Sequence, residues 1–192
     1  MPEGVSAPVG VTGRVIEGED VRIEEAACAM ASLKADLADA AVAEAVVRAT
    51  GCAVPAALSA ETAGEAAALW FAPDELLLIA PVGRAAAMVA DLDAALAGHH
   101  ALALDASAAR VSFALDGPAA AEVLAKGCPV DLRDAAFPVG QVRRTHMGQV
   151  AVALWREGEG RYRLFCFRSV SGYVADWLAD AAAAGGRVGH FA

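Results

Sequence analysis

The sequence predicts an α+β fold made of two packed ferredoxin-like βαββαβ-type halves. Three observations carry that expectation. Through residue 105, short apolar strands and amphipathic helices follow the order strand, helix, strand, strand, helix, strand. From residue 110 a similar order returns with one extra strand. The length of 192 residues suits one large domain built from two halves that bury their apolar faces together.

The elements read in order as follows. Residues 1–25 are a flexible leader, punctuated by Gly4, Pro8, Gly10, Gly13 and Gly18. Residues 26–34 are an alanine-rich strand. Residues 37–50 are a helix, because Leu37, Ala41, Ala45 and Val46 form one stripe and Gly51 is a suitable stop. Residues 55–64 are a loop. Strands at 66–71 and 76–80 flank the turn Pro73-Asp74-Glu75, and the unbroken apolar run of the second predicts burial on both faces. Met88, Val89, Leu92 and Leu96 mark a helix over 84–97, ended by Gly98. Strands follow at 101–105 and 110–115, the latter from the alternation of Val111, Phe113 and Leu115.

Gly117-Pro118 opens a third helix, with proline suited to the first helical position, and Gly127 closes it. Residues 128–140 are a loop. Strands follow at about 141–148, 149–156 and 161–168, the last two joined as a hairpin by Glu157-Gly158-Glu159-Gly160. A final helix takes Ser171 as N-cap and buries Val174, Trp177, Leu178 and Ala181, with Gly185-Gly186 as its stop. The expected organisation is thus one α+β domain over 26–186, with halves at about 26–105 and 110–186, and a tail at 187–192.

Composition excludes several function classes. The chain has 24 acidic and 15 basic side chains, a net charge of −9. That balance argues against a general nucleic-acid binder and against a polybasic membrane anchor. Charge is also uneven, since residues 131–192 are net positive and all their bases are arginines. Such polarity orients partners more than it builds a core. Apolar residues make up 57%, but 50 residues are alanine, which leaves an ordinary supply of larger core side chains. No secretory signal and no run of about 18 apolar residues is present, so the expected location is cytoplasmic. Cys28, Cys52, Cys128 and Cys166 are dispersed and read as small buried thiols, with no metal-ligand spacing.

Chemistry-bearing motifs are missing. The sequence has no G-x-G-x-x-G, no phosphate-binding P-loop, no H-E-x-x-H and no G-x-S-x-G. Asp36/Asp39 and Asp91/Asp93 read as solvated helix faces, and His99-His100 as an exposed turn. His146 among Arg143, Arg144 and Thr145 is an anion-contact candidate. Arg168, at a strand-to-helix junction, suits bracing of loop carbonyls or a bidentate ligand contact.

Several segments stand out as a set. They are Ala68-Leu69-Trp70-Phe71-Ala72-Pro73-Asp74-Glu75-Leu76-Leu77-Leu78; Leu104-Asp105-Ala106-Ser107 followed by Gly117-Pro118 and Val123-Leu124; Gly127-Cys128-Pro129-Val130-Asp131-Leu132; Phe137-Pro138 with Gly140 and Arg144-Thr145; and Arg168-Ser169 with Trp177-Leu178. They run in order from about residue 66 to 186, and the ordered set resembles the sarcosine oxidase gamma subunit family. Leu76 stands where the family pattern has a second tryptophan.

The resemblance implies a fold like part of the folate-binding domain of glycine-cleavage T-protein. It implies a non-catalytic accessory subunit of a heterotetrameric flavin-dependent sarcosine oxidase, partnered by alpha, beta and delta subunits. That complex demethylates sarcosine oxidatively to glycine with hydrogen peroxide, and passes the one-carbon unit to tetrahydrofolate. FAD, FMN, NAD and zinc are expected on the other subunits and no cofactor on this one. Met147-Gly148-Gln149-Val150-Ala151-Val152 lacks the paired aspartates of the T-protein pattern, which argues against folate chemistry on this chain. The alternatives are a free-standing folate-binding module and an equivalent subunit of a related amine oxidase or demethylase. Docking residues are expected among Trp70, Asp74, Glu75, Arg143, Arg144 and Arg168, since aromatic and arginine side chains anchor interfaces. An isolated subunit with an exposed docking face is expected to pair with itself.

Overall fold

The structure, a computed structural model, describes residues 13–191. Residues 1–12 of the expected leader, and the last residue of the expected tail, lie outside the described residues. The first half contains β3 (Ala29–Lys34), α1 (Ala40–Thr50), β4 (Ala60–Ala63), β5 (Ala66–Ala72), β6 (Glu75–Ala80), α2 (Ala85–Ala95) and β7 (Leu102–Asp105). The second contains β8 (Arg110–Asp116), α3 (Ala120–Ala125), β9 (Val142–Met147), β10 (Val150–Gly158), β11 (Arg161–Phe167), a 3-10 turn (Arg168–Val170) and α4 (Ser171–Ala182). Before both comes a hairpin, β1 (Val15–Gly18) and β2 (Val21–Glu25).

Local chemistry sets the helix ends. Asp39 starts α1 by accepting the Ala41 N–H at 2.8 Å, and Gly51 stops it in the left-handed region at φ 78°. Ser171 does not cap α4. Val170 holds that position without a side-chain bond, and the Ser171 hydroxyl donates to the Arg168 carbonyl at 2.9 Å. The third helix is shorter than the span from Pro118 to Gly127, with regular helix confined to Ala120–Ala125.

The first half forms a five-stranded antiparallel sheet in the order β4-β5-β6-β3-β7. Without β4 this is the ferredoxin-like order. β4 lies where a loop was expected. Its Ala-Glu-Thr-Ala sequence has no strand signature, and β5 templates it through four paired residues. The second half forms the other sheet, in the order β1-β2-β8-β11-β10-β9.

The expected leader is corrected here. Among the described residues no strand follows α4, so the outer edge of β8 is left to β2, which fills it in antiparallel register from Arg22↔Asp116 to Glu25↔Phe113. Val21 and Ile23 point into the core at 4% and 0% exposure, and Arg22 points outward. The N-terminal hairpin therefore supplies the strand that completes the second ferredoxin-like unit.

The sheets pack face to face, with helices on the two outer faces, and three cores follow. One lies between the first sheet and α1/α2, around Leu33, Val46, Leu76, Leu78, Met88 and Leu92. One lies between the second sheet and α3/α4, around Ile23, Leu115, Leu124, Phe137, Leu164 and Leu178. The third lies between the sheets, around Met30, Leu69, Phe71, Leu77, Trp155 and Phe165. Trp177, expected in the core, is half-buried. Its ring lies against Gly127 and Gly148, and its indole N–H donates to the Tyr173 hydroxyl at 2.9 Å.

Candidate functional site

The strand period of two separates the expected docking residues. Along β9, Val142 and Arg144 face the other sheet, and Arg143 and Met147 face the helices. Arg143 accordingly lies over the Phe137 ring, 5.6 Å from its centroid, and donates to the carbonyl of Val142 at 3.0 Å. Along β5, Phe71 is buried between the sheets, and Trp70 is half-buried on the opposite side. Asp74 sits on the exposed β5–β6 turn, 3.8 Å from the Lys34 ammonium. It lines a cavity of about 580 Å³ with Lys34, Asp36, Pro73, His100 and Leu102.

Glu75 and Arg144 meet. Their side chains are 3.5 Å apart, and the Glu75 carboxylate, 14% exposed, also accepts from the Ser32 hydroxyl at 3.2 Å. Arg144 lies 5.8 Å from the Phe71 ring centroid and donates to its carbonyl at 3.4 Å. Arg168 joins the margin of this patch as a brace. It donates to the carbonyls of Ala108 at 2.8 Å, Arg110 at 3.0 Å and Ser107 at 3.5 Å, and sits 3.9 Å from Glu25. The loop it holds is the Asp105–Ser107 turn. There Asp105 accepts the Ser107 N–H at 2.8 Å, and the Ser107 hydroxyl accepts the Met30 N–H at 3.0 Å. The Asp-x-Ser motif thus fixes the passage from the first half to the second.

Two members of the patch escaped the sequence reading. Arg110 and Phe167 are cross-strand partners on β8 and β11. The Arg110 guanidinium stands 4.6 Å from the Phe167 ring centroid and 5.3 Å from that of Phe71. Burial pulls its pKa down, opposed by the field of Glu75 and reinforced by that of Arg144. The alternation of β8 and β11 was legible, but the register pairing Arg110 with Phe167 was not.

Leu102 and Leu104 stand opposite Lys34 and Ser32 in the β3–β7 pairing and are each 53% exposed. Phe167 is 50% exposed. The surface offers aromatic, aliphatic and guanidinium groups, the chemistry of recognition.

Burial pushes Cys128 and Cys166 up to about 12 and raises Cys28 against the pull of Arg163 and Ser112. A further cavity, about 640 Å³, lies elsewhere, around Arg156, Tyr162 and Asp134. Arg156 there is 5% exposed, donates to the Phe137 carbonyl at 2.8 Å and pairs with Asp134 at 2.7 Å. Among the described residues no group of three His, Cys, Asp or Glu side chains could hold a metal ion. No helix among them is long and apolar enough to cross a membrane.

Residues 34–184 match the model of the family described as "Sarcosine oxidase, gamma subunit family". The chain belongs to that family. It is 40% identical over 140 residues to the sarcosine oxidase subunit gamma of Corynebacterium sp. (strain U-96), covering 71% of this chain and 67% of the relative. It is 43% identical over 115 residues to that of Corynebacterium sp. (strain P-1), covering 60% of this chain and 56% of the relative.

A chain in the structure of heterotetrameric sarcosine oxidase from Corynebacterium sp. U-96 in complex with pyrrole 2-carboxylate superposes with a TM-score of 0.80. Its identity is 32%, and the match covers 95% of this chain and 93% of that one. The glycine cleavage system aminomethyltransferase T from Bartonella henselae superposes with a TM-score of 0.53 at 19% identity, covering 79% of this chain and 43% of that one. This second likeness is one of fold. It fits the paired α+β halves described above.

Proposed function

We propose that this chain is a non-catalytic accessory subunit of a heterotetrameric, flavin-dependent sarcosine oxidase, docked onto alpha, beta and delta subunits in the cytoplasm. In this reading the complex demethylates sarcosine oxidatively to glycine with hydrogen peroxide and passes the one-carbon unit to tetrahydrofolate. FAD, FMN, NAD and zinc belong to the other subunits. The observation that carries the reading is the near full-length likeness to a chain of a heterotetrameric sarcosine oxidase, at 32% identity and a TM-score of 0.80. The patch of Phe71, Glu75, Arg110, Arg144 and Phe167 supports it, because it combines arginine and aromatic side chains on an open sheet face.

The test is co-purification of the tagged chain with the flavoprotein subunits encoded in its own organism, read by mass spectrometry, absorbance and sarcosine oxidation. A yellow, sarcosine-oxidising eluate is the expected result. A colourless chain that elutes alone and melts higher with tetrahydrofolate would replace this reading with that of a free-standing folate module.

A further inference from the structure

The most distinctive group on the open sheet face is Arg110. Its guanidinium lies between two aromatic rings, Phe71 at 5.3 Å and Phe167 at 4.6 Å. Among the described residues no carboxylate forms an ion pair with it. Glu75, whose field reaches it, instead pairs with Arg144 and accepts from Ser32. Arg110 is also half-buried, so part of its hydration is already removed. A guanidinium packed against aromatic rings loses little freedom when it forms a further contact, and its planar fork matches a carboxylate. Arg144 adds a second positive charge beside the same Phe71 ring. Apolar side chains border it: Phe167 is 50% exposed, and Leu104 continues the face across Ser32.

We propose that the Arg110 clamp is the receptor for an acidic side chain of a partner subunit. That carboxylate inserts between Arg110 and Arg144, and the partner's apolar surface covers Phe167 and Leu104. This rests on the docking reading given above. Charge complementarity selects the occupant, because a local pair of arginines stands out on a chain whose net charge is −9. An apolar or basic segment would leave Arg110 desolvated and uncompensated, at a net cost to binding.

The test uses the whole chain and the purified remaining subunits of its own complex. Affinity is measured for the native chain and for Arg110→Gln, Arg110→Lys and Arg110→Glu over a series of salt concentrations. Thermal melts confirm that each variant is folded. Arg110→Gln should weaken assembly by about 30-fold, the size of an interface hot spot. Arg110→Lys should recover part of the loss, because it keeps the charge without the fork. Arg110→Glu should bind more weakly than Arg110→Gln. The native chain should lose affinity with salt more steeply than Arg110→Gln.

A folded Arg110→Gln that assembles as tightly as the native chain, with the same salt dependence, would overturn the inference and leave the docking reading standing. Native chain that does not bind the other subunits at all would overturn the docking reading itself. Self-association of the isolated native chain that Arg110→Gln abolishes would show that a second copy supplies the carboxylate, which also overturns it.

Discussion

Replacing Ile23 with alanine tests whether the N-terminal hairpin is an integral strand of the second half. Ile23 is fully buried, sits opposite Leu115 in the β2–β8 pairing and belongs to the core between that sheet and α3/α4. The substitution removes three carbons, a transfer loss of about 2.4 kcal/mol at about 0.8 kcal/mol per buried methylene. The unfilled space adds to this, and Ile→Ala changes in cores cost about 2–5 kcal/mol in all. The expected loss is therefore about 4 kcal/mol, a large share of the 5–15 kcal/mol typical of a domain. Urea melts at 25 °C and fixed pH measure it. The control is Arg22→Ala, whose exposed guanidinium pairs only at the surface, with Glu17 and Glu24, and which should change stability by less than about 0.5 kcal/mol. An Ile23→Ala loss under about 1 kcal/mol would refute the argument, because a strand that dissociates in solution leaves no cavity.

Three further outcomes follow from the same geometry. Gly117→Ala should cost more than about 2 kcal/mol in thermal melts, because Gly117 has φ +138° and a Cβ there would lie 2.3 Å from the Asp20 carbonyl oxygen. Arg144→Ala should lower the yield of co-purified partner subunits more than it lowers the melting temperature, since the Arg144 side chain is 54% exposed and Glu75 keeps its bond from Ser32; an unchanged yield removes Arg144 from the interface. The buried thiols give a pH signature. Cys128 and Cys166 ionise near 12 in the folded chain instead of at their ordinary 9.0, so the unfolded chain releases these protons first as pH rises. Their contribution is full below pH 9 and declines toward pH 12, by up to about 1.4 kcal/mol per pH unit for each thiol. Urea melts between pH 8 and 10 should show this decline, and Cys128→Ala/Cys166→Ala should flatten it.

What the sequence revealed depended on whether a segment's own pattern decides its structure. β6 and β8 announced themselves by an apolar run and by alternation, and α1 by its stripe and Gly51. β2 carries the alternation Val21-Arg22-Ile23-Glu24, but five flanking glycines and prolines make the region read as a leader. Its strand identity comes from the open edge of β8, some 90 residues away, which no local pattern reveals. β4 is the stronger case, since Ala-Glu-Thr-Ala becomes a strand by pairing alone. Residue type flagged Glu75 and Arg144 as docking candidates. It also grouped Arg143 with Arg144 and Trp70 with Glu75, although strand pleat sends these neighbours to opposite faces. Arg110 and Phe167 needed the β8–β11 register before either had a partner.

The edges of the two sheets bear on which face a partner covers. A sheet edge exposes unpaired backbone groups, and proteins commonly protect it with charge. β9 carries Arg143, Arg144 and His146; β1 carries Glu17; β4 carries Glu61. β7 differs, because Leu102 and Leu104 are each 53% exposed and its one charge, Asp105, is turned to the Ser107 N–H. An edge without such protection is best explained by something that covers it. β7 is also continuous with the Arg110 clamp, since Leu104 neighbours Ser32 and Ser32 donates to Glu75, the ion-pair partner of Arg144. A single partner surface that covers the leucines therefore also closes the clamp. The apolar edge contributes buried area, and the two arginines select for an acidic group at its border.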